Sequence, residues 1–181
     1  MIEQRELLNK KEIEITIERL CQQLIENHQD FKNTVIVGVQ PRGAFLSKRI
    51  IAKLQSLIST STIQSGNVDI SFYRDDLMRR EEPIVPQVMD MNLSVEGKNV
   101  VLIDDVLFTG RSIRSAIDAL MAFGRPKSVE LLILIDRRFS RHLPIQPNYV
   151  GRTIDEMDSE RVIVEWKEVN GKDRILMVKS E

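Results

Sequence analysis

The apolar positions fall into blocks of two kinds. Ile13, Ile17, Leu20, Leu24 and His28 recur at steps of three and four, tracing one buried stripe of an amphipathic helix. Asn9, followed three positions later by Glu12, forms a capping box at its start. TVIVGV (34–39) is a continuous β-branched run, the pattern of a strand buried on both faces. Beyond Gln40-Pro41-Arg42-Gly43, Leu46, Ile50, Leu54 and Leu57 line one face of a second helix. VDISFY (68–73) alternates apolar with polar residues and predicts a strand with one wetter face. VVLI (100–103) repeats the buried-strand pattern. It runs into Asp104-Asp105 and a helix carrying Ile113, Ala116, Ile117 and Leu120, stopped by Gly124 and Pro126. VELLILI (129–135) is a further buried strand, and RVIVEW and RILMV flank Asn170-Gly171, a hairpin signal. Buried strands alternating with helices predict an α/β fold: a central, mainly parallel sheet flanked by helices, with a C-terminal β-hairpin.

Residues 74–98 break this rhythm. They are rich in charge, contain Pro83 and Pro86, and show no sustained period. A connection that long in a compact domain is a functional loop, here read as a mobile lid over about 74–98 within a single domain spanning 1–181. The length of 181 residues suffices for a core without disulfides or a structural metal. Cys21 is the only cysteine, which excludes a disulfide framework and any cysteine-rich zinc module. His28 and His142 are too few and too distant for a histidine-based centre, so any metal is expected on oxygen ligands. Cys21 and His28 lie on the apolar side of the first helix and read as core. The balance of 26 Lys+Arg against 27 Asp+Glu excludes an indiscriminately basic nucleic-acid binder but not a local patch. No apolar run approaches the roughly 20 residues of a membrane span, and residues 1–10 show no signal-type segment. The expectation is a cytoplasmic protein with no membrane partner.

The stretch that carries chemistry is VVLIDDVLFTGRSIRSAI (100–117). A buried strand delivers two adjacent carboxylates at its C-terminal end, where ligands sit in open α/β sheets. Thr109-Gly110-Arg111-Ser112 then opens a helix whose free N–H groups and positive dipole end suit a phosphate. Carboxylates beside an anion site make sense when the ligand also offers hydroxyls, or a magnesium ion between the groups. A ribose 5-phosphate meets both demands. Neither GxxxxGK[ST] nor GxGxxG occurs, so this is neither a Walker loop nor a dinucleotide fingerprint.

The segment resembles the phosphoribosyl-pyrophosphate signature of type I phosphoribosyltransferases, whose fold the resemblance implies. Val39-Gln40-Pro41-Arg42-Gly43 matches the short pyrophosphate loop of that superfamily, and Tyr73-Arg74-Asp75-Asp76-Leu77 begins its mobile lid. VLIDDVLFTGRSIRSAIDAL, the strand ending in Asp136-Arg137, and LPIQPNYVG (143–151) together resemble the pyrimidine-operon attenuator/uracil phosphoribosyltransferase family, PyrR. The likeness covers nearly the whole chain.

The family implies transfer of the phosphoribosyl group from phosphoribosyl pyrophosphate to uracil, giving UMP and pyrophosphate. On this reading Asp104, Asp105 and Arg42 carry catalysis. The two acids hold the ribose hydroxyls, directly or through Mg2+, and Arg42 grips pyrophosphate with Gln40, Pro41 and Gly43. Val106, Leu107, Phe108, Thr109, Gly110, Arg111 and Ser112 form the phosphoribosyl loop, and Tyr73 and Arg74 come from the lid. Asp136 and Arg137 border the base, under a hood (about 137–160) in which Tyr149 offers a stacking face and Val150 backbone groups. The family often carries a cis peptide in the pyrophosphate loop, at Pro41–Arg42 by resemblance or at Gln40–Pro41 by energetic preference.

The hypoxanthine-guanine enzymes have an acid before Thr-Gly. Phe108 stands there and cannot exchange a proton, which favours a pyrimidine. Two departures from the family stand out: Ile154-Asp155-Glu156 replaces Ile-Pro-Thr, leaving Glu156 as a magnesium ligand or an exposed acid, and Arg138 replaces glycine after Asp136-Arg137. A second reading is a UMP-responsive RNA-binding attenuator of pyrimidine-operon transcription with weak or no catalytic activity, gripping the mRNA leader through Arg137, Arg138, Arg141, His142 and Arg152. The family also implies a homodimer or higher homo-oligomer.

Overall fold

The computed structural model describes residues 4–58, 62–73, 91, 93–155 and 160–179. Asn9 caps α1 (Lys10–His28) as expected: its side chain accepts from the Glu12 N–H at 3.1 Å, while Glu12 accepts from the Asn9 N–H at 2.8 Å. Ile13, Ile17, Leu20, Cys21 and Leu24 face inward from α1, so the stripe is core. Burial pushes the Cys21 thiol up to about 12, which leaves it a small apolar filler rather than a nucleophile.

Strands β2 (Thr34–Val39), β3 (Gln64–Val68), β4 (Asn99–Leu107), β5 (Ser128–Arg137) and β6 (Tyr149–Ile154) form one sheet in the order β3-β2-β4-β5-β6, every pair parallel. Alternate residues enter two cores. Ile36, Val101, Leu132 and Leu134 join α1 and α2 (Arg42–Ile58) on one face, and Val35, Val37, Val100 and Leu102 join α3 (Arg111–Leu120) on the other. Continuous β-branched runs are what burial on both faces demands. A second sheet, β1-β8-β7, joins β1 (Gln4–Leu8), β7 (Glu160–Glu165) and β8 (Arg174–Lys179) in antiparallel register. Its inner face, with Trp166, Val164 and Ile175, completes the first core. Among the described residues no helix is long and apolar enough to cross a membrane.

Several expectations need correction. The strand expected over 68–73 lies at 64–68, because β2 offers partners only from Val35 to Val39. Beyond it the Asp69 carboxylate accepts from Ser71 N–H (2.8 Å) and hydroxyl (2.6 Å), closing a turn instead. Strand β4 continues four residues past Ile103, so the acidic pair lies inside the strand and not after it. The expected Asn170-Gly171 turn is a short helix, α4 (Lys167–Asn170), ended by Gly171 at φ 75°. β1 was not anticipated, since only Leu7 and Leu8 of QRELL are buried. Within the segment expected as a hood, residues 149–154 form β6, an edge of the main sheet. Of the expected lid, 74–90 and Asn92 lie outside the described residues, but its end is anchored: Val95 is fully buried and Gly97 N–H donates to Arg125 O at 2.9 Å.

The Asn9 cap closes α1 beside β1, so N9A is expected to lower stability by about 1 kcal/mol, read as a fall of about 2–4 °C in Tm for a domain of this size.

Candidate phosphoribosyl site

The chain leaves β2 toward β3 on one side, whereas β4 leads to β5 on the other. The crevice between the carboxyl ends of β2 and β4 is therefore the switch point where open α/β sheets bind ligands. Pairing of β4 with β2 stops at Ile103, but pairing with β5 continues through Asp104 to Leu107. The acidic pair is thus fixed on one edge and open to the crevice on the other.

Asp104 and Asp105 are 8% and 6% exposed. Asp104 Oδ1 accepts from the Asp105 N–H at 2.9 Å, and Asp105 Oδ1 from the Val106 N–H at 2.8 Å. Asp105 Oδ2 is buried with no hydrogen-bond partner. Burial, reinforced by the neighbouring Asp105 charge, holds the Asp104 carboxyl well above the usual aspartate range. Burial also raises Asp105, while the Arg42 guanidinium pulls it partly back. The pair is a desolvated double acceptor awaiting donors or a cation.

Arg42 opens α2, exposed, at the end of the loop Gln40–Gly43, whose Gln40–Pro41 bond is cis. Gln40 N–H donates to Val68 O at 2.9 Å, which ties the loop to the end of β3. Gly43 permits the approach of α2 to the acids. A Cβ there would lie 2.4 Å from Ile103 O and 3.0 Å from the Asp104 Cα, a clash with backbone that cannot yield cheaply.

On the other side of the acids, Gly110 precedes α3 at φ 90° and provides no side-chain cap. Thr109 Oγ1 accepts from the Arg111 N–H at 3.4 Å, and with no side-chain cap from Gly110 the positive end of α3 faces the acids' side as a place an anion can approach. Thr109, Arg111 and Ser112 are accessible around it. Phe108 is 37% exposed and lies under the Arg137 guanidinium, 4.1 Å from the ring centroid.

The structure brings Gln40–Gly43, Asp104, Asp105 and Phe108–Ser112 to one end of the sheet. Val106 and Leu107 end β4 on the same approach; the Leu107 side chain is 1% exposed in the second core and Val106 packs on the first. Tyr73 sits in a turn, its N–H donating to Ile70 O at 3.0 Å, and Arg74 lies outside the described residues, as does Glu156.

Tyr149 is not where a stacking face would be. Its ring is in the first core, and its hydroxyl donates to Glu130 Oε2 at 2.6 Å and accepts from Asn27 Nδ2 at 2.9 Å. Val150 pairs with Ile133, and its carbonyl accepts from Arg19 at 3.3 Å.

Asp136 is buried and ion-paired with Arg141. A cavity of about 450 Å3 lies beside this pair, lined by Arg138, Pro144, Ile145, Pro147 and Val150. A larger one of about 810 Å3 opens near Gln29, Phe31 and Gln64, at the far end of β2 and β3 from the acids.

The basic cluster expected as an RNA surface is mostly spent within the chain. Arg137 is buried, Arg138 pairs with Asp155 at 2.7 Å, Arg141 donates to Phe108 O and Asp136 Oδ1, and Arg152 donates to Leu7 O at 2.7 Å. His142 alone keeps an exposed side chain without such a tie.

A buried acidic pair between an arginine-bearing loop and a glycine-led helix end is an arrangement for a phosphorylated, hydroxyl-bearing ligand, and the phosphoribosyl transferase domain family matches residues 3–168. The chain is 40% identical over 177 residues to Bifunctional protein PyrR of Endomicrobium trichonymphae, covering 96% of this chain and 98% of that protein. It is 38% identical over 176 residues to Bifunctional protein PyrR of Clostridioides difficile, covering 97% and 98%. A solved hypoxanthine phosphoribosyltransferase from Staphylococcus aureus shares the fold with a TM-score of 0.70 at 23% identity, covering 97% of this chain and 91% of that one. That from Trypanosoma cruzi gives 0.73 at 17% identity, covering 98% and 97%. This chain belongs to the PyrR family of phosphoribosyltransferases.

Because both aspartates have raised folded-state pKa values, their contribution to stability is fully present below the ordinary value near 4 and is lost as pH rises through the folded values. In the metal-free, ligand-free protein at neutral pH, D105N is therefore expected to raise stability by about 1 kcal/mol, or about 2–4 °C in Tm. The gain should shrink as pH falls toward 4, and a pH series of thermal melts in chelator checks it.

Proposed function

We propose that the protein transfers the 5-phosphoribosyl group of phosphoribosyl pyrophosphate to N1 of uracil, giving UMP and pyrophosphate. The observation that carries this reading is the buried Asp104-Asp105 pair, flanked by Arg42 on one side and the open turn of α3 on the other. The 5′-phosphate takes the donors of Thr109–Ser112 and the positive end of α3. The ribose 2′ and 3′ hydroxyls then donate to the acids, with the unpartnered Asp105 Oδ2 as a ready acceptor. This places the pyrophosphate on the Arg42 side.

In the reaction the bond from C1 to pyrophosphate breaks as N1 of the base bonds to C1, the N1 proton leaves to the departing pyrophosphate or to solvent, and the ribose passes through oxocarbenium character. The negative pair below the ribose stabilises that positive charge, and Arg42 the charge left on pyrophosphate. No protein nucleophile is required. Phe108, under Arg137, borders the base and offers no proton-exchanging group, which suits a pyrimidine whose N1 proton is acidic. Tyr149 is turned into the core, whereas Val150 lines the cavity beside Asp136 and stays with Arg137 and Phe108 as a framing residue of the base site on this reading.

The donor set also fits Mg2+. Among the described residues no group of three or more His, Cys, Asp or Glu forms a complete metal nest. Two carboxylates with a free buried oxygen are what this ion uses when substrate oxygens supply the rest. Asp104 and Asp105 would hold it, and it would supply further neutralisation of the phosphoribosyl pyrophosphate charge. The family reading also implies a homodimer or higher homo-oligomer.

An assay with phosphoribosyl pyrophosphate, Mg2+ and a panel of uracil, hypoxanthine, guanine and orotate tests the reading. Turnover of uracil alone is expected, and conversion of purines only would refute the Phe108 argument. D104N and D105N are each expected to lower kcat/KM by about 100-fold or more while keeping a cooperative melt.

The name Bifunctional protein PyrR carried by the relatives favours a second, RNA-attenuating role. Its surface would need residues beyond the arginines committed inside the fold, although the exposed Arg138–Asp155 pair is weak enough to re-form around a phosphate. Filter binding of leader RNA checks it: salt-sensitive, UMP-enhanced binding is the expected sign.

A further inference from the structure

We infer that Arg141 is a positioning residue that orients the amides of the 5′-phosphate loop, with Asp136 as its counter-charge. The inference rests on the phosphoribosyl reading of that loop. Arg141 lies beyond β5, and its guanidinium meets four acceptors from three segments. Nε donates to Ile145 O at 3.1 Å and Nη1 to Arg137 O at 3.3 Å. Nη1 also donates to Phe108 O, and Nη2 to Asp136 Oδ1, both closely. The next two residues continue the contact: the N–H groups of His142 and Leu143 both donate to Thr109 O, at 3.0 and 3.2 Å. Leu143 and Ile145 then pack on Gly110, where a Cβ would stand 3.1 Å from the Ile145 side chain.

The consequence follows from peptide geometry. In a trans peptide the C=O and the following N–H point in opposite directions. With Phe108 O and Thr109 O both held on the side of residues 141–143, the N–H groups of Thr109 and Gly110 are turned the other way. Two adjacent amides aimed together, followed by the first turn of α3, make a concave donor set for an anion. Without the ties, either peptide plane could flip and aim a carbonyl at the phosphate.

Only arginine suits the position. Acceptors on three segments require a planar fork with five donors, which a lysine ammonium cannot match. Asp136 keeps the buried charge paired; its side chain and that of Arg141 are 10% and 19% exposed. Asp136 is thereby assigned to Arg141 and not to the base, and Arg141 to the loop and not to an RNA surface.

The test uses the full-length protein and calorimetric binding of two probes, ribose 5-phosphate and magnesium pyrophosphate, the second falling to the Arg42 loop. Wild type must bind ribose 5-phosphate; failure there sinks the phosphoribosyl reading and not the role of Arg141. Given that binding, R141K and R141Q are expected to weaken ribose 5-phosphate by about 10- to 100-fold, as loss of precise orientation does. Magnesium pyrophosphate should change by less than about 2-fold, since its loop is untouched by Arg141. D136N, which leaves the guanidinium and its carbonyl contacts in place, should give an intermediate loss and serves if the Arg141 variants fail to fold. Equal loss of both probes with a lowered Tm would mean general destabilisation and overturn the inference. So would unchanged ribose 5-phosphate affinity in folded R141K and R141Q.

Discussion

Asp104 and Asp105 are carried within the hydrogen-bonded length of β4, so the sheet itself enforces their removal from water. A flexible loop would let the carboxylates swing out and solvate, whereas a strand tied to β5 through Leu107 cannot. The cost is electrostatic: two acids, adjacent and buried, each with its ionised form disfavoured. On the proposed function, that cost is what a ligand relieves. Hydroxyl donors or a cation arriving at a pre-set pair find acceptors that need no reorganisation, which is the condition under which such groups stabilise a developing charge most. The stability spent on the pair is supplied by two apolar clusters that cover both faces of the same sheet.

The groups around the pair are placed by the same logic of rigid parts in close contact. Helix α2 comes within backbone distance of Asp104 because residue 43 has no side chain. Farther along α2, Arg49 lies 4.5 Å over the Trp166 ring and bonds to Glu168 and Asp173 at 2.7 Å each. The connection between β7 and β8 thus grips the helix that presents Arg42, and Trp166, 1% exposed, is the buried contact through which it does so.

Much of this was legible in the chain because it depends on local pattern. The capping box, the α1 stripe, the β-branched strands and the strand–acid–glycine–helix order all declare themselves over a few residues. What was missed depends on distant partners. Where β3 and β4 end is set by how far β2 and β5 extend to meet them, which no window on their own residues contains. β1 has too few buried residues to show a period, and becomes a strand only because β8 lies beside it. Tyr149 looked like a face for a base; its place in the core follows from Asn27 and Glu130, which are 122 and 19 residues away along the chain.

The arginines show the same limit most clearly. In sequence, Arg137, Arg138, Arg141 and Arg152 form a basic cluster, and clustered positive charge reads as a surface for phosphate. In three dimensions a guanidinium is also the best available tie between backbone carbonyls, since it satisfies several acceptors at once and never loses its charge. Arg141 holds carbonyls from three segments, Arg152 reaches back to β1, and Arg137 covers Phe108. Their carbonyl partners leave no mark in composition or periodicity, because every residue has one. Charge near a phosphate site therefore divides into arginines that meet the anion and arginines that shape the loop that meets it, and only the acceptors around each guanidinium tell the two apart.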